Sequence, residues 1–374
     1  MSSAELNFRN LSQCLQQPQD NFLLLRFIAS ALVIYGHSYA MAGSAGAQGD
    51  IIARNSWGPG VYTGSIAVDM FFVISGFLVT ASYVRRDNIF AFIKSRSLRI
   101  LPAYIACIFL SAFVLGALYT NLPLPDYWAN PATRDYVITN LKFGDLSWTL
   151  PGVFTDNPHK DIINGCLWTL PAEVRMYLYV AIFGLLGALK NQKINNVLLI
   201  CLFALGFATP ATVPIVGYQP EYIPLAALFT LGSFCYTNRD VIPVNGFVLL
   251  ALIFLCLCLH NTPGFMLMFG LTIGYFCFWF AYCTNFYFFN RFGDYSYGLY
   301  LWGFPIEQAV ARHLSNPQPI LIFVLAFPLT LVIAALSWHW LEKPALKLKN
   351  IKWHEYPMLS RLKTTSNVAS GDPS

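Results

Sequence analysis

The chain has 374 residues, 56% of them hydrophobic and 16% aromatic but only 11% charged, with a mean hydropathy of +0.53. Soluble proteins of this size carry about a quarter charged residues, so the composition excludes an ordinary soluble domain and predicts a membrane protein. The formal net charge of +5 is spread along loops, without the dense basic cluster of a nucleic-acid-binding protein, and the nine cysteines show no CxxC pair or Cys/His spacing suited to zinc.

The first 20 residues are polar, so no cleavable signal peptide is expected and the apolar run from Asn21 is retained as the first membrane helix. With about 20 apolar residues per crossing, helices are predicted near 22–41, 64–83, 99–119, 166–188, 195–210, 221–236, 244–260, 264–283, 293–311 and 319–341. The expected fold is all-α and polytopic, with about ten transmembrane helices. A cytoplasmic segment 1–21 precedes a membrane domain 22–341, and a cytoplasmic tail 342–374 ends in the polar stretch "TTSNVASGDPS", which reads as disordered.

Placing both termini in the cytoplasm leaves 16 Lys and Arg residues in inside segments and 5 in outside ones, with Arg26 and Arg175 within helices. That asymmetry follows the positive-inside rule. The longest loop, about 120–165, then lies outside and is either a partly ordered cap or a functional element.

Arg26, Asp69, Glu173 and Arg175 stand within predicted helices, together with His37. A charge at a helix centre costs roughly 2.5–3.5 kcal/mol on insertion, so such residues mark a functional site by default. Arg26 and His37 are 11 positions apart, three turns plus about 20°, and so share one face some 16 Å apart along the axis. For Arg26 the alternative is snorkelling to lipid phosphates, and for His37 a hydrogen bond to a loop at headgroup level.

Asp69, Phe72 and Gly76 follow i, i+3, i+7 spacing, which puts the acid on a close-packing face, where a purely structural ion pair is the alternative. Asp69, Glu173 and His37 are expected at similar outer depth, a constellation suited to general-base chemistry. On the inner side Arg96 and Arg99 lie three apart before Pro102, either as topology signals or as an anion site.

At these positions the chain resembles the acyltransferase-3 family of integral membrane acyltransferases. The matching segments are "LRFIASALVIYGH" with Arg26 and His37, "GSIAVDMFFVISGFL" with Asp69 and Ser75, and "KSRSLRILPAY" with Arg96, Arg99 and Tyr104. Further along come "LWTLPAE" with Trp168 and Glu173, "YSYGLYLWGFP" with Tyr300 and Trp302, and "HWLEKP" with Glu342. The chain departs from a common form of the family at Gly303, where a histidine often follows the tryptophan.

The resemblance implies ten helices and transfer of a short acyl group, usually acetyl, from acyl-CoA as donor substrate to a hydroxyl of a surface glycan or lipid-linked sugar. No bound cofactor or metal is expected. By residue it implies His37 as the leading catalytic group with Asp69 and Glu173 as required acids, and Arg26, Arg96 and Arg99 as the basic residues on the acyl-CoA side. Ser75, Tyr104, Trp168 and Arg175 are further candidates.

The expected setting is a bacterial inner membrane, in contact with membrane lipid, and a second copy of the chain stays open as a partner. The competing class is a transporter or flippase of a lipid-linked sugar, in which the same charges line a path. The chain shows no evident internal repeat of the kind many transporters use.

Overall fold

The computed structural model describes residues 9–55, 57, 60–208 and 221–350. The polar tail expected to be disordered, the first eight residues and the end of the fifth predicted helix lie outside the described residues. Among the described residues there is no β-strand, only isolated bridges such as Thr149 with Ile162.

Ten main helices are described: α1 (Phe22–Met41), α2 (Thr63–Arg86), α3 (Ile89–Leu110), α4 (Thr169–Leu185), α5 (Gln192–Ala208), α6 (Tyr222–Thr237), α7 (Gly246–Cys258), α8 (Phe265–Cys283), α9 (Ser296–His313) and α10 (Pro319–Ser337). Among the described residues, five segments are long and apolar enough to cross a membrane: α1, α2, α3 with its extension to Tyr119, α8, and α10 with its extension to Lys347. Helix α4 falls outside that group with 17 residues, and α9 because it carries charged and polar side chains. Exposed leucine, valine and phenylalanine side chains such as Leu250, Phe254, Val324 and Val332 cover α7 and α10, as expected of faces turned to lipid.

Helix α3 starts ten residues before the prediction of 99–119. The Asn88 side chain accepts the Ala91 N–H at 2.9 Å, a well-formed N-cap. Lys94, Arg96 and Arg99 lower the hydropathy of this first half and hide a continuous helix from a search for apolar runs. A π-helical turn at Ser111–Leu115 and a short helix Gly116–Tyr119 then carry the chain to the long loop.

Helix α2 is the central pillar and packs against α1, α6 and α8. Its closest approach is to α6, where a Cβ on Gly76 would lie 2.0 Å from Phe229 O and one on Gly232 would lie 2.1 Å from Val73 O. Only glycine permits that backbone contact, which Thr80 reinforces by donating to Ser233 Oγ at 2.9 Å.

Basic connections gather at one end of the bundle. Lys190 pairs with Asp87 at 2.6 Å, and Val244 N–H donates to Arg9 O at 2.8 Å, so the segment before α1 lies on the α6–α7 connection. At the other end the 120–165 loop folds into helices Leu124–Ala129 and Pro131–Leu141. It is anchored by Tyr127, whose hydroxyl donates to Ala112 O at 2.6 Å.

Candidate active site

One stripe of α1 faces α9 and the residues leading into it. Arg26 Nη1 lies 2.8 Å from Asp294 Oδ2, and Ser30 Oγ donates to Ser296 O at 2.7 Å. Ile34 fills the space opposite Gly303, where a Cβ would approach Ile34 Cγ1 to 2.7 Å, and His37 Nδ1 lies 4.0 Å from Glu307 Oε2. Both sets of partners ascend together, so α1 and α9 run parallel and display a cation at one depth and an imidazole at another.

Around His37 the surroundings are close. Its Nδ1 is 3.7 Å from Cys166 Sγ, and its ring sits edge-on to Phe304 with centroids 5.4 Å apart. Glu307 is wholly buried, and neither of its carboxylate oxygens has a hydrogen-bond partner among the described residues. A buried acid without a donor is costly, and the His37 imidazole is the polar hydrogen source that the fold brings near it.

The neighbouring Gln308 donates to the carbonyls of His159 and Ile162, both at 2.7 Å, while Asn157 donates to its side chain at 2.8 Å. These bonds hold the loop against α9 beside the histidine. Burial pushes the His159 imidazole down toward its neutral form.

At the opposite end Asp294 is shared by two guanidiniums, Arg26 and Arg99, the latter at 2.6 Å, and it accepts from Ser296 Oγ at 2.5 Å. Arg99 Nη1 is also 3.8 Å from Glu342, whose other oxygen accepts from Ser337 at 2.9 Å. Arg96 lies over the Tyr177 ring, 5.8 Å from its centroid. The Tyr177 hydroxyl donates to Glu173, which Ser75 Oγ also approaches at 3.4 Å. All of these groups except Glu342 and Ser337 line a cavity of about 350 Å³ between α2, α3, α4 and the start of α9.

Phe71, Thr169 and Tyr300 line the cavity, and His37 is not part of its lining. The Tyr300 hydroxyl donates to Cys166 O at 3.0 Å and, its single proton used, accepts from Thr169 Oγ1 at 2.5 Å. The Phe71 ring packs edge-on against it at 5.9 Å. Tyr300 therefore stands between the Arg-lined cavity and the Cys166–His37 contact.

The candidates named from sequence thus separate into three groups. Arg26, Ser75, Arg96, Arg99 and Glu173 share the cavity. Glu173 does not sit beside His37, because Glu173 and Tyr177 are one turn apart on the face of α4 turned to α2 and α3. Asp69 is half-buried on α2, and within 4.0 Å of His37 the carboxylate present is Glu307 rather than Asp69.

Trp168 stacks on Tyr222 at 6.1 Å and Arg175 lies over the same ring at 5.3 Å, so those two brace the start of α6. Tyr104 is fully buried and donates to Asn140 O at 2.8 Å, tying α3 to the loop helix. Sequence reasoning passed over Glu307, although it falls inside the predicted span 293–311 and meets the criterion that singled out Asp69. It also passed over Asp294 at that span's edge.

The acyltransferase domain family, acyltransferase 3, matches residues 20–339. The chain is similar to a protein named O-acetyl transferase from Shigella phage Sf6, at 27% identity over 330 residues, covering 85% of this chain and 93% of that protein. It is also similar to Nodulation protein 10 of Rhizobium leguminosarum bv. viciae, at 31% identity over 194 residues, half of each chain. No solved structure matches it. With a match running from the start of α1 to the end of α10, and six ordered motifs that furnish both ends of the site, the chain belongs to the acyltransferase-3 family.

Proposed function

We propose that this protein is a membrane O-acyltransferase that moves a short acyl group, acetyl above all, from acyl-CoA to a hydroxyl of a surface glycan or lipid-linked sugar. In this reading it sits in a bacterial inner membrane with both termini in the cytoplasm. The donor enters the Arg-lined cavity from the cytoplasmic end and the acceptor reaches His37 from the other.

The observation that carries the reading is the parallel α1–α9 stripe, which separates the Arg26–Asp294–Arg99 cluster from the His37–Glu307 pair by about 16 Å of helix. A phosphate-bearing carrier whose charged head stays at the basic end can cover such a separation with a long thioester arm. The Sf6 relative's name supports acetyl transfer to oxygen.

In the reaction, His37 Nε2 takes the proton of the acceptor hydroxyl as its oxygen attacks the thioester carbonyl. The new C–O bond forms, the C–S bond breaks, and the leaving thiolate of CoA recovers the proton from the imidazolium. Glu307, facing Nδ1, holds the ring in the tautomer that leaves Nε2 free to accept and stabilises the transient positive charge. Asp69 and Glu173 keep their places as required acids, Glu173 through the Tyr177–Arg96 group on the donor side.

Mass spectrometry of surface glycans from cells with and without the gene tests the activity. Loss of one acetyl mass from a defined sugar is expected, and glycans identical in both cells, together with no acetyl-CoA consumption by purified protein, would overturn it.

A further inference from the structure

Five cations line the cavity, and the carboxylates present do not serve them equally. Arg26 and Arg99 share Asp294, and Arg99 also faces Glu342. Those two guanidiniums are largely neutralised and deeply set, with side chains 23% and 15% exposed. Arg86, Arg96 and Lys349 differ: no ion pair within 4.0 Å involves any of them among the described residues.

Arg86, in the last turn of α2, donates among the described residues a single 3.3 Å bond, to Ala91 O. Arg96 makes 3.4 Å contacts with the Ser82 and Ser95 hydroxyls and lies over Tyr177. Lys349, in the 3-10 turn Leu348–Asn350 after the π-turn that follows α10, is exposed and lines the same cavity. Asp87, the acid next to Arg86, adopts a left-handed backbone (φ 45°) and pairs with Lys190. Two consecutive helices and the 3-10 turn that follows the last helix thus bring cations to one rim, and Asp87, the acid beside Arg86 in sequence, is engaged elsewhere.

We infer that this rim, formed by Arg86, Arg96 and Lys349, is the cradle for the phosphates of a nucleotide-borne thioester donor, while Arg26 and Arg99 chiefly hold the end of the bundle together through Asp294. The inference rests on the proposed acyl-CoA donor and refines it. Unpaired guanidiniums offer forked donors that match phosphate oxygens, and a lysine adds a mobile point charge. Grading from a neutralised interior to a rim without ion pairs draws a polyanion to the opening while leaving the thioester arm free to run inward past Ser75 as far as Tyr300. The same chemistry would suit a lipid phosphate, so the test includes both.

The experiment measures CoA binding to the purified full-length protein in nanodiscs of zwitterionic lipid. An Arg86→Gln, Lys349→Gln double variant is expected to raise the Kd for CoA about tenfold, flatten the dependence of Kd on salt, and leave the affinity for pantetheine, which lacks the phosphates, unchanged. Arg86→Lys with Lys349→Arg, which keeps both charges, is expected to retain most of the affinity, as a merely structural role for the last turn of α2 would not require.

If the unaltered protein binds CoA and the double variant binds it equally well, the cradle is refuted and the acyl-CoA reading stands. If the unaltered protein binds no CoA, that reading fails and takes the cradle with it. If only the binding of anionic-lipid vesicles falls in the variant, the rim serves lipid headgroups and the inference is overturned.

Discussion

The Glu307 carboxylate, wholly buried and without a hydrogen-bond donor of its own, lies 4.0 Å from His37 Nδ1 on the facing helix. The pair has the two halves of a general-base device: an imidazole with one nitrogen turned to an acid and the other left for a substrate proton. Glu307→Gln keeps the shape and removes the charge. It is expected to lower kcat for acetyl transfer by about 10²–10⁴-fold, the range seen when a histidine loses its orienting carboxylate. The melting temperature should hold or rise, because an uncompensated buried acid has been removed. Steady-state rates with acetyl-CoA, set beside thermal unfolding of the same preparation, check this. An unchanged kcat would detach Glu307 from the chemistry.

For His37 itself, replacement by alanine is expected to reduce transfer by at least about 10²-fold, the usual contribution of a positioned acid–base group. Direct attack by the acceptor leaves the enzyme unmodified between turnovers. Intact-protein mass spectrometry after incubation with acetyl-CoA and no acceptor should therefore show no added acetyl. A stable acetyl adduct that maps to His37 and discharges onto acceptor would replace direct transfer with a covalent route.

Spacing alone places Arg26 and His37 on one face of a helix, and in the fold both meet partners on α9 or just before it. The partners themselves were harder to read. Glu307 stands in "FPIEQAV", where its neighbours give no motif, and only its place in a span marks it out. Long-range pairing decides the rest: whether Glu173 faces His37 or Arg96 depends on how α4 is rotated against α2 and α3, and no local pattern encodes that rotation. The start of α3 was obscured for a different reason, since its basic first half is helical through its cap and tertiary contacts rather than through apolar periodicity. Gly303, marked in the sequence only as a departure from the family's histidine, proves to be the position that lets Ile34 pack against α9.

Tyr300 stands between the Arg-lined cavity and the histidine, held by its bonds to Cys166 O and Thr169. In the proposed reaction an arm entering from the cavity has to displace that side chain to bring its thioester to His37, and the same side chain would limit the passage of water between the two ends. Tyr300→Phe retains the ring and releases the two hydrogen bonds. The expected result is a several-fold rise in acetyl-CoA hydrolysis without acceptor and a fall in the ratio of transfer to hydrolysis. Thr169→Val, which cuts one of the same bonds, should move the ratio in the same direction by less. Measuring free CoA release with and without acceptor separates these outcomes, and a ratio unchanged in both variants would deny the tyrosine any role as a partition.

Asp294 holds two guanidiniums at 2.8 and 2.6 Å, so its loss leaves Arg26 and Arg99 facing each other with little solvent to screen them. Removing one partner of a buried ion pair costs about 3–5 kcal/mol, because the remaining charge stays desolvated. Asp294→Asn keeps the volume and a polar acceptor, and it is expected to lower the melting temperature clearly. Arg99→Gln should do so less, since Arg26 still neutralises the aspartate while Glu342 loses its cation. Combining the two substitutions removes one acid and one base together, so the double variant is expected to be more stable than the sum of the single losses predicts, with a coupling of about 1–3 kcal/mol. Additive losses in this cycle would mean that the two residues act independently. The cluster would then be read as a set of separate anion contacts on the donor side rather than as the brace that joins α1, α3 and α9.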